Sequence, residues 1–302
     1  MNEKTYQSIL ETLASVPVTA MPCVKLLGDR FGVGAETVHS IYSQEVQYRV
    51  KKTHTALCEA SVGLMKEYVL GDKSIIDLCL QWHMPPSIMV RRMLESCPSL
   101  GCKNGKVVGS VLKNADMLRT CVTPGFLDAL IETDLNAHGI AYHQTEDQFL
   151  DRLVADIETC AIMDSICGPA ADAARHGAGE DYETRLYDHL QEHKICFWTE
   201  NDLRDQHFHK TPDALLKVPI AVCGKVVCWI DSKATFCDAK THRKLLQEQY
   251  DSYVNRFGPG LVIYWHGYLE SVQLMDFVTV MDHFPCGKDE IIRLPMLDAD
   301  SI

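Results

Sequence analysis

Two β-rich runs, Leu215 to Val222 and Val226 to Ala234, are separated only by Cys223-Gly224-Lys225, and they constrain this chain more than any other feature. A three-residue loop with a central glycine suits a hairpin. In that register Val222 faces Val226, Ile220 faces Cys228 and Val218 faces Ile230, so six apolar side chains share one face. Side chains alternate along a strand, which puts Trp229, Asp231 and Lys233 together on the opposite face. Asp213 is expected opposite Thr235, diagonal to Lys233 and on that same face. A two-residue loop would turn it away. The simple register with a clean apolar face thus also collects Asp213, Asp231 and Lys233.

Two carboxylates converging on a strand pair are natural ligands for Mg²⁺ or Mn²⁺, which take oxygen donors. A lysine beside them can position or deprotonate a water and stabilise a pentavalent phosphate, while the metal acidifies water and neutralises phosphate oxygens. Phosphodiester hydrolysis needs this equipment. The plainer alternative is an exposed Asp231–Lys233 ion pair, a common and weak surface feature. Flanking residues enlarge the cluster. Glu183, on the helix before the hairpin, can supply a third carboxylate. Gln249 and Tyr253, four apart on the following helix, share a face and can reach the reacting water or the phosphate backbone. His189 and His193 are also four apart, but no third ligand stands at zinc-site spacing, so they read as a surface pair.

The first hundred residues read as helices. Val24, Leu26, Leu27 and Phe31 recur at helical spacing, Gly32-Val33-Gly34 interrupts, and Val38, Ile41 and Tyr42 resume before a long helix to Leu70. That helix carries Lys51 and Lys52. A second pair follows, from Ile75 to Leu80 and from a start at Ser87 through Arg91 and Arg92. Two helix-turn-helix-like units in tandem suggest DNA contact through these basic residues, although short helical hairpins are also common in interaction domains. From Ala115 to Ala174 the pattern stays helical, as in Phe149, Leu150, Leu153, Val154 and Ile157. After Gly177 it becomes helix (about Gly179 to Lys194), strands, helix, then the apolar strand Leu261 to Trp265. The expected organisation is 1–110 helical, 111–175 a helical connection and 176–302 an α/β domain with the chemistry.

Net charge is −12 over 302 residues, and it is uneven: residues 1–110 carry +2 and residues 111–302 carry −14. Phosphate contact would therefore rest on local basic groups, with Arg256 a further candidate, because the mean field repels polyanions. The thirteen cysteines are scattered, odd in number and without a Cys-x-x-Cys pair, which suggests reduced thiols in a reducing compartment. The polar start Met1-Asn2-Glu3-Lys4 has no signal-peptide core, and the apolar run at Leu261 is too short for a bilayer, so neither secretion nor a membrane partner is expected.

Pro212-Asp213, Asp231-Ser232-Lys233, Glu183 and Gln249-x-x-x-Tyr253 together resemble the motifs of the PD-(D/E)XK nuclease superfamily. Lys210-Thr211-Pro212-Asp213, Trp229-Ile230-Asp231-Ser232-Lys233-Ala234 and Asn255-Arg256-Phe257-Gly258-Pro259-Gly260 onward to Trp265 resemble its TPD-motif family. Ser43-Gln44-Glu45 and Lys52-Thr53-His54 extend the likeness, more weakly, into the helical half. The resemblance implies tandem helix-turn-helix units before a restriction-endonuclease-like α-β-β-β-α-β domain. It implies a Mg²⁺-dependent deoxyribonuclease with no small-molecule cofactor, with Asp213, Asp231 and Glu183 as metal ligands. It further implies codanin as a partner, a place in nucleus and cytoplasm, and a context of erythroid differentiation and chromatin assembly. A nuclease fold kept only for binding codanin or DNA is the competing expectation.

Overall fold

In the computed structural model, strands β1 (Phe197–Thr199), β2 (Ala214–Val222), β3 (Lys225–Lys233), β4 (Gly260–Tyr264), β5 (Val278–Met281) and β6 (Ile291–Arg293) form one mixed sheet. The order is β1-β2-β3-β4-β5, and β6 also pairs with β2. β2 is antiparallel to β1, β3 and β6, whereas β3, β4 and β5 run parallel. The structure describes residues 1–20, 22–71, 73–102, 104–137, 142, 144–272, 277–287 and 290–293.

The hairpin forms, but its turn is tighter than the sequence reading. Val222 pairs with Lys225, leaving Cys223 and Gly224 as a two-residue loop with φ of 49° and 77°. Two left-handed residues make this the turn whose twist matches the flanking strands. The expected pairing of Val222 with Val226 is therefore displaced by one residue. Val218 and Val226 leave the core and are 37% and 44% exposed, while Val227 is buried.

A one-residue slip would carry Asp213 to the wrong face, yet it does not. Between Ile220↔Val227 and Leu215↔Trp229 the ladder is irregular, and β2 takes three more residues over this stretch than β3. An odd number of extra residues reverses the alternation, which cancels the slip. Pro219, with no N–H to give to a ladder, lies inside the irregular stretch. Lys217 turns its N–H to the Cys196 carbonyl (2.9 Å) instead of to β3. Beyond the irregularity Ala214 faces Ile230, both fully buried, so the next residue, Asp213, falls beside Asp231 and not opposite Thr235.

Each face of the sheet has its own packing. On one, Ile220, Val222, Ile230, Leu261 and Ile263 meet Leu186 and Leu190, which are four apart on the helix Pro169–Glu192. This helix begins ten residues before the expected Gly179. On the other face Trp229 is fully buried; it donates to the Gly258 carbonyl (2.8 Å) and meets Tyr253 edge-on at 5.2 Å.

Two compact units result. One comprises Met1–Glu11, Val24–Ile41 and His176–Ile302, so the sheet's unit also takes segments from the N-terminal part. Within it Ser40 Oγ accepts the Phe236 N–H (2.8 Å), and Tyr6 stacks on Phe236 at 5.6 Å. The other, Thr12–Cys23 and Tyr42–Arg175, is helical and undivided near residue 110. Its core gathers Leu64, Met65, Met89, Met93, Phe149 and Leu153. Capping boxes start Ile75–Trp82 (Ser74 with Asp77) and Glu146–Met163 (Thr145 with Gln148). The helix expected from Ser87 starts at Pro86, whose ring fits the first helical position; the Ser87 N–H donates to buried Asp164 (2.8 Å). All thirteen cysteines are free thiols, and no helix among the described residues is long and apolar enough to cross a membrane.

The tightest constraint on the functional strand is at Gly260. A Cβ there would lie 2.0 Å from the Trp229 ring. Gly260→Ala is expected to destabilise the protein by about 1–3 kcal/mol or more through overpacking. Denaturant unfolding checks this: an unchanged midpoint would mean that Trp229 yields without cost.

Candidate functional site

The site is built where β2 begins and β3 ends. Asp213 Oδ2 accepts the Ser232 N–H at 2.6 Å, which clamps the start of one strand to the end of the other. Tyr187 donates to the Asp213 carbonyl (3.1 Å) from the helix Pro169–Glu192. Asp231 is 1% exposed, and the Lys233 ammonium lies 2.5 Å from its Oδ2. Apart from this charge contact, Asp231 Oδ2 is buried without a hydrogen-bond donor. The Ser232 hydroxyl, on the other face, accepts from Trp265 Nε1 (2.8 Å). Asp213, Asp231 and Lys233 thus come together, as the sequence reading expected.

The cluster carries more negative charge than one lysine offsets. Burial and the Asp231 charge push the Asp213 carboxyl well above the ordinary carboxylate range, against the pull of Lys233. Burial alone would lower the Lys233 ammonium, but Asp231 and Asp213 outweigh it and raise its proton affinity. Lys233 is therefore held as an ammonium donor beside the two carboxyls. Glu183 belongs to the same field: burial and the Glu200 charge raise its carboxyl, with Lys233 opposing.

Glu200 escaped the sequence reading. Its Oε1 accepts from the Thr211 hydroxyl (3.2 Å) and from Arg204 (2.7 Å). The signal available was Thr199-x-x-Asp202, which forms a capping box and places Glu200 at a helix start.

The remaining motif residues line an open pocket of about 890 Å³ together with Thr211 and Glu200. Gln249 sits in a π-helical turn, Leu246–Tyr250, and its Oε1 is buried without a donor. Such turns often mark functional sites. Tyr253, on Asp251–Phe257, is buried and donates to the Thr211 carbonyl at 2.8 Å, so its hydroxyl holds the Thr211-Pro212-Asp213 loop in place. Among the described residues, no three His, Cys, Asp or Glu side chains converge as a ready-made metal cage. Mg²⁺, however, keeps several waters and takes one or two carboxylates, and the buried pair Asp213 and Asp231, whose negative charge exceeds what Lys233 offsets, suits that demand.

Of the basic candidates, Lys51, Lys52, Arg91 and Arg92 belong to the helical unit and Arg256 to the sheet's unit. Arg91 and Arg92 both meet Glu95, at 3.7 and 2.6 Å, while Lys51 and Lys52 are exposed on the helix Ala35–Leu70. Arg256 donates to the His209 carbonyl. His189 stacks on Phe284 at 4.9 Å, and His193 tilts against the same ring at 5.3 Å.

A raised carboxyl destabilises the fold as it ionises. The folded-state value of Asp213 lies above its unfolded one, so its contribution is complete at acid pH and is lost as pH rises through the folded value. In metal-free buffer Asp213→Asn should melt a few degrees above wild type at pH 7, with the gap closing toward pH 4. Thermal melts across that range are the check; a variant less stable at pH 7 contradicts the charge excess.

Comparison with known proteins comes to the same motifs. A family model described as "Protein of unknown function TPD sequence-motif" matches residues 149–284. The chain is 33% identical over 291 residues to the CDAN1-interacting nuclease 1 of Danio rerio, covering 93% of this chain and 88% of that one. It is 30% identical over 305 residues to that of Bos taurus, covering 97% and 98%. Against that of Homo sapiens it is 32% identical over 282 residues, 90% of each chain. No solved structure matches. With its Thr211-Pro212-Asp213 loop bound at the end of the Asp231-x-Lys233 strand, and relatives alike along nearly their whole length, the chain belongs to the TPD-motif family of CDAN1-interacting nuclease 1 proteins.

Proposed function

We propose that this protein is a divalent-metal-dependent nuclease that hydrolyses phosphodiester bonds of DNA. The observation that carries the reading is the buried pair Asp213 and Asp231 with Lys233 at 2.5 Å. Support also comes from the element order: the helix Pro169–Glu192, β1, the short helix Glu200–Asp205, β2, β3, a helical stretch and β4 resemble the α-β-β-β-α-β order of the PD-(D/E)XK superfamily with one helix inserted after the first strand. The relatives are themselves named nucleases, which supports the coarser part of the reading.

Asp213 and Asp231 would hold Mg²⁺ or Mn²⁺, with Glu183 as an outer ligand. When bound, the metal supplies Lewis-acid polarisation of the phosphate and a more acidic water. Lys233, kept protonated by its carboxylate neighbours, donates to the phosphate oxygens as charge develops there. Glu183, whose carboxyl binds protons more readily than usual, would take the proton of the attacking water. Gln249 and Tyr253 hold the loop and the pocket wall beside the scissile phosphate. Arg91, Arg92, Lys51, Lys52 and Arg256 would bind backbone phosphates, through tandem helix-turn-helix units in the first four cases. The partner carried over from the relatives' names is codanin, and the expected location is nucleus and cytoplasm.

Labelled single-stranded, flap, junction and duplex DNA incubated with Mg²⁺ or Mn²⁺ tests this. Lys233→Ala should lower cleavage by about 10²–10³-fold, and Asp231→Ala should abolish it with the fold intact. Mn²⁺ should raise the melting temperature of wild type but not of Asp213→Ala. Equal cleavage by wild type and Asp231→Ala would trace the activity to a contaminant. No cleavage and no Mn²⁺ shift would leave a nuclease-fold adaptor.

A further inference from the structure

The pocket beside the acid cluster has a wall that the motifs do not supply. His207, Phe208, His209 and Lys210, all exposed, form it with Arg204, opposite Gln249 and Tyr253. We propose that this loop pocket receives one unpaired nucleotide next to the scissile phosphate, so that the substrate is single-stranded or frayed nucleic acid. The inference rests on the nuclease reading and narrows it.

Four observations carry it. First, about 890 Å³ is the size of a small-ligand pocket and not of a trough for a double helix. Second, Phe208 is 36% exposed, touching Phe257 at 5.9 Å, within a run of basic residues. An aromatic face beside a lysine is a usual platform for an unpaired base. Third, Lys210 Nζ donates to the Glu248 carbonyl (2.8 Å), a neutral acceptor that leaves its charge for a phosphate. Fourth, Gln249 lines the pocket, and a side-chain amide can both donate to and accept from a base edge.

The loop is also held in shape. The Phe208 N–H donates to the Leu203 carbonyl (3.0 Å) and that of His207 to Arg204 (2.8 Å), with His207 left-handed at φ 64°. This pattern ends the helix Glu200–Asp205, and a hydrophobic side chain at the Phe208 position ordinarily packs back on the helix. Here the ring keeps over a third of its surface in solvent. Lys210 is left-handed as well, at φ 54°, which is uncommon for a side chain of its size.

The test is binding, measured on the full chain in EDTA so that no cleavage intervenes. Fluorescence anisotropy follows a labelled oligothymidine and a blunt duplex of equal length. Wild type should prefer the oligothymidine. Phe208→Ala should weaken it roughly 10-fold or more, with Phe208→Tyr retaining the affinity and the duplex unaffected. Lys210→Ala should reduce the salt slope for the single strand by about 0.7. Loss of the preference in wild type, unchanged oligothymidine binding by Phe208→Ala, or an equal loss for the duplex would each overturn the proposal. Because no metal is present, a failed cleavage assay leaves these outcomes intact, and failed binding leaves hydrolysis open.

Discussion

The hydrogen bond from the Ser232 N–H to the Asp213 carboxylate, 2.6 Å long and buried, is the contact on which the site depends. It ties the start of β2 to the end of β3 after an interval in which the ladder between them is broken. Without it, the Thr211-Pro212-Asp213 loop would be free of the strand bearing Asp231 and Lys233. Tyr187 and Tyr253 reinforce it by binding carbonyls on either side of Pro212. Three polar contacts from three elements thus fix a short loop whose carboxylate is unfavourable to bury in charged form.

The site is accordingly held in a state its own electrostatics oppose. Two buried acids stand side by side, a third carboxylate is near, and a single lysine answers them. Replacing one acid by an amide would relieve the fold, which is the common relation between a functional site and stability. The surrounding packing tolerates the strain because it is dense. Trp229, Tyr250 and Tyr253 fill one side of β3, and Gly260 leaves no room for even a methyl group. The aliphatic residues around Ile230 and Leu186 fill the other.

The pocket extends this rigid centre with a different material. Its lining joins an exposed loop of histidine, phenylalanine and lysine, held by left-handed residues, to the π-helical turn at Gln249. On the proposed reading, chemistry would sit on strands and recognition on a loop, which would let the two vary separately.

From the order of residues alone came the two strands, their shared face for Asp231 and Lys233, and the helical character of the first 170 residues, because these follow from local periodicity. The membership of Asp213 in the cluster was also legible, though for a reason the structure replaced. A two-residue turn reverses the face, and three extra residues between Leu215 and Ile220 reverse it again, so two departures cancel. Pairing irregularities of this kind depend on what a strand's other edge meets; here Lys217 bonds to Cys196. Glu200, the pocket and the joining of residues 1–11 and 24–41 to the sheet's unit were decided only by tertiary structure. Each brings together residues distant along the chain, and no local pattern records which distant neighbour a side chain will meet.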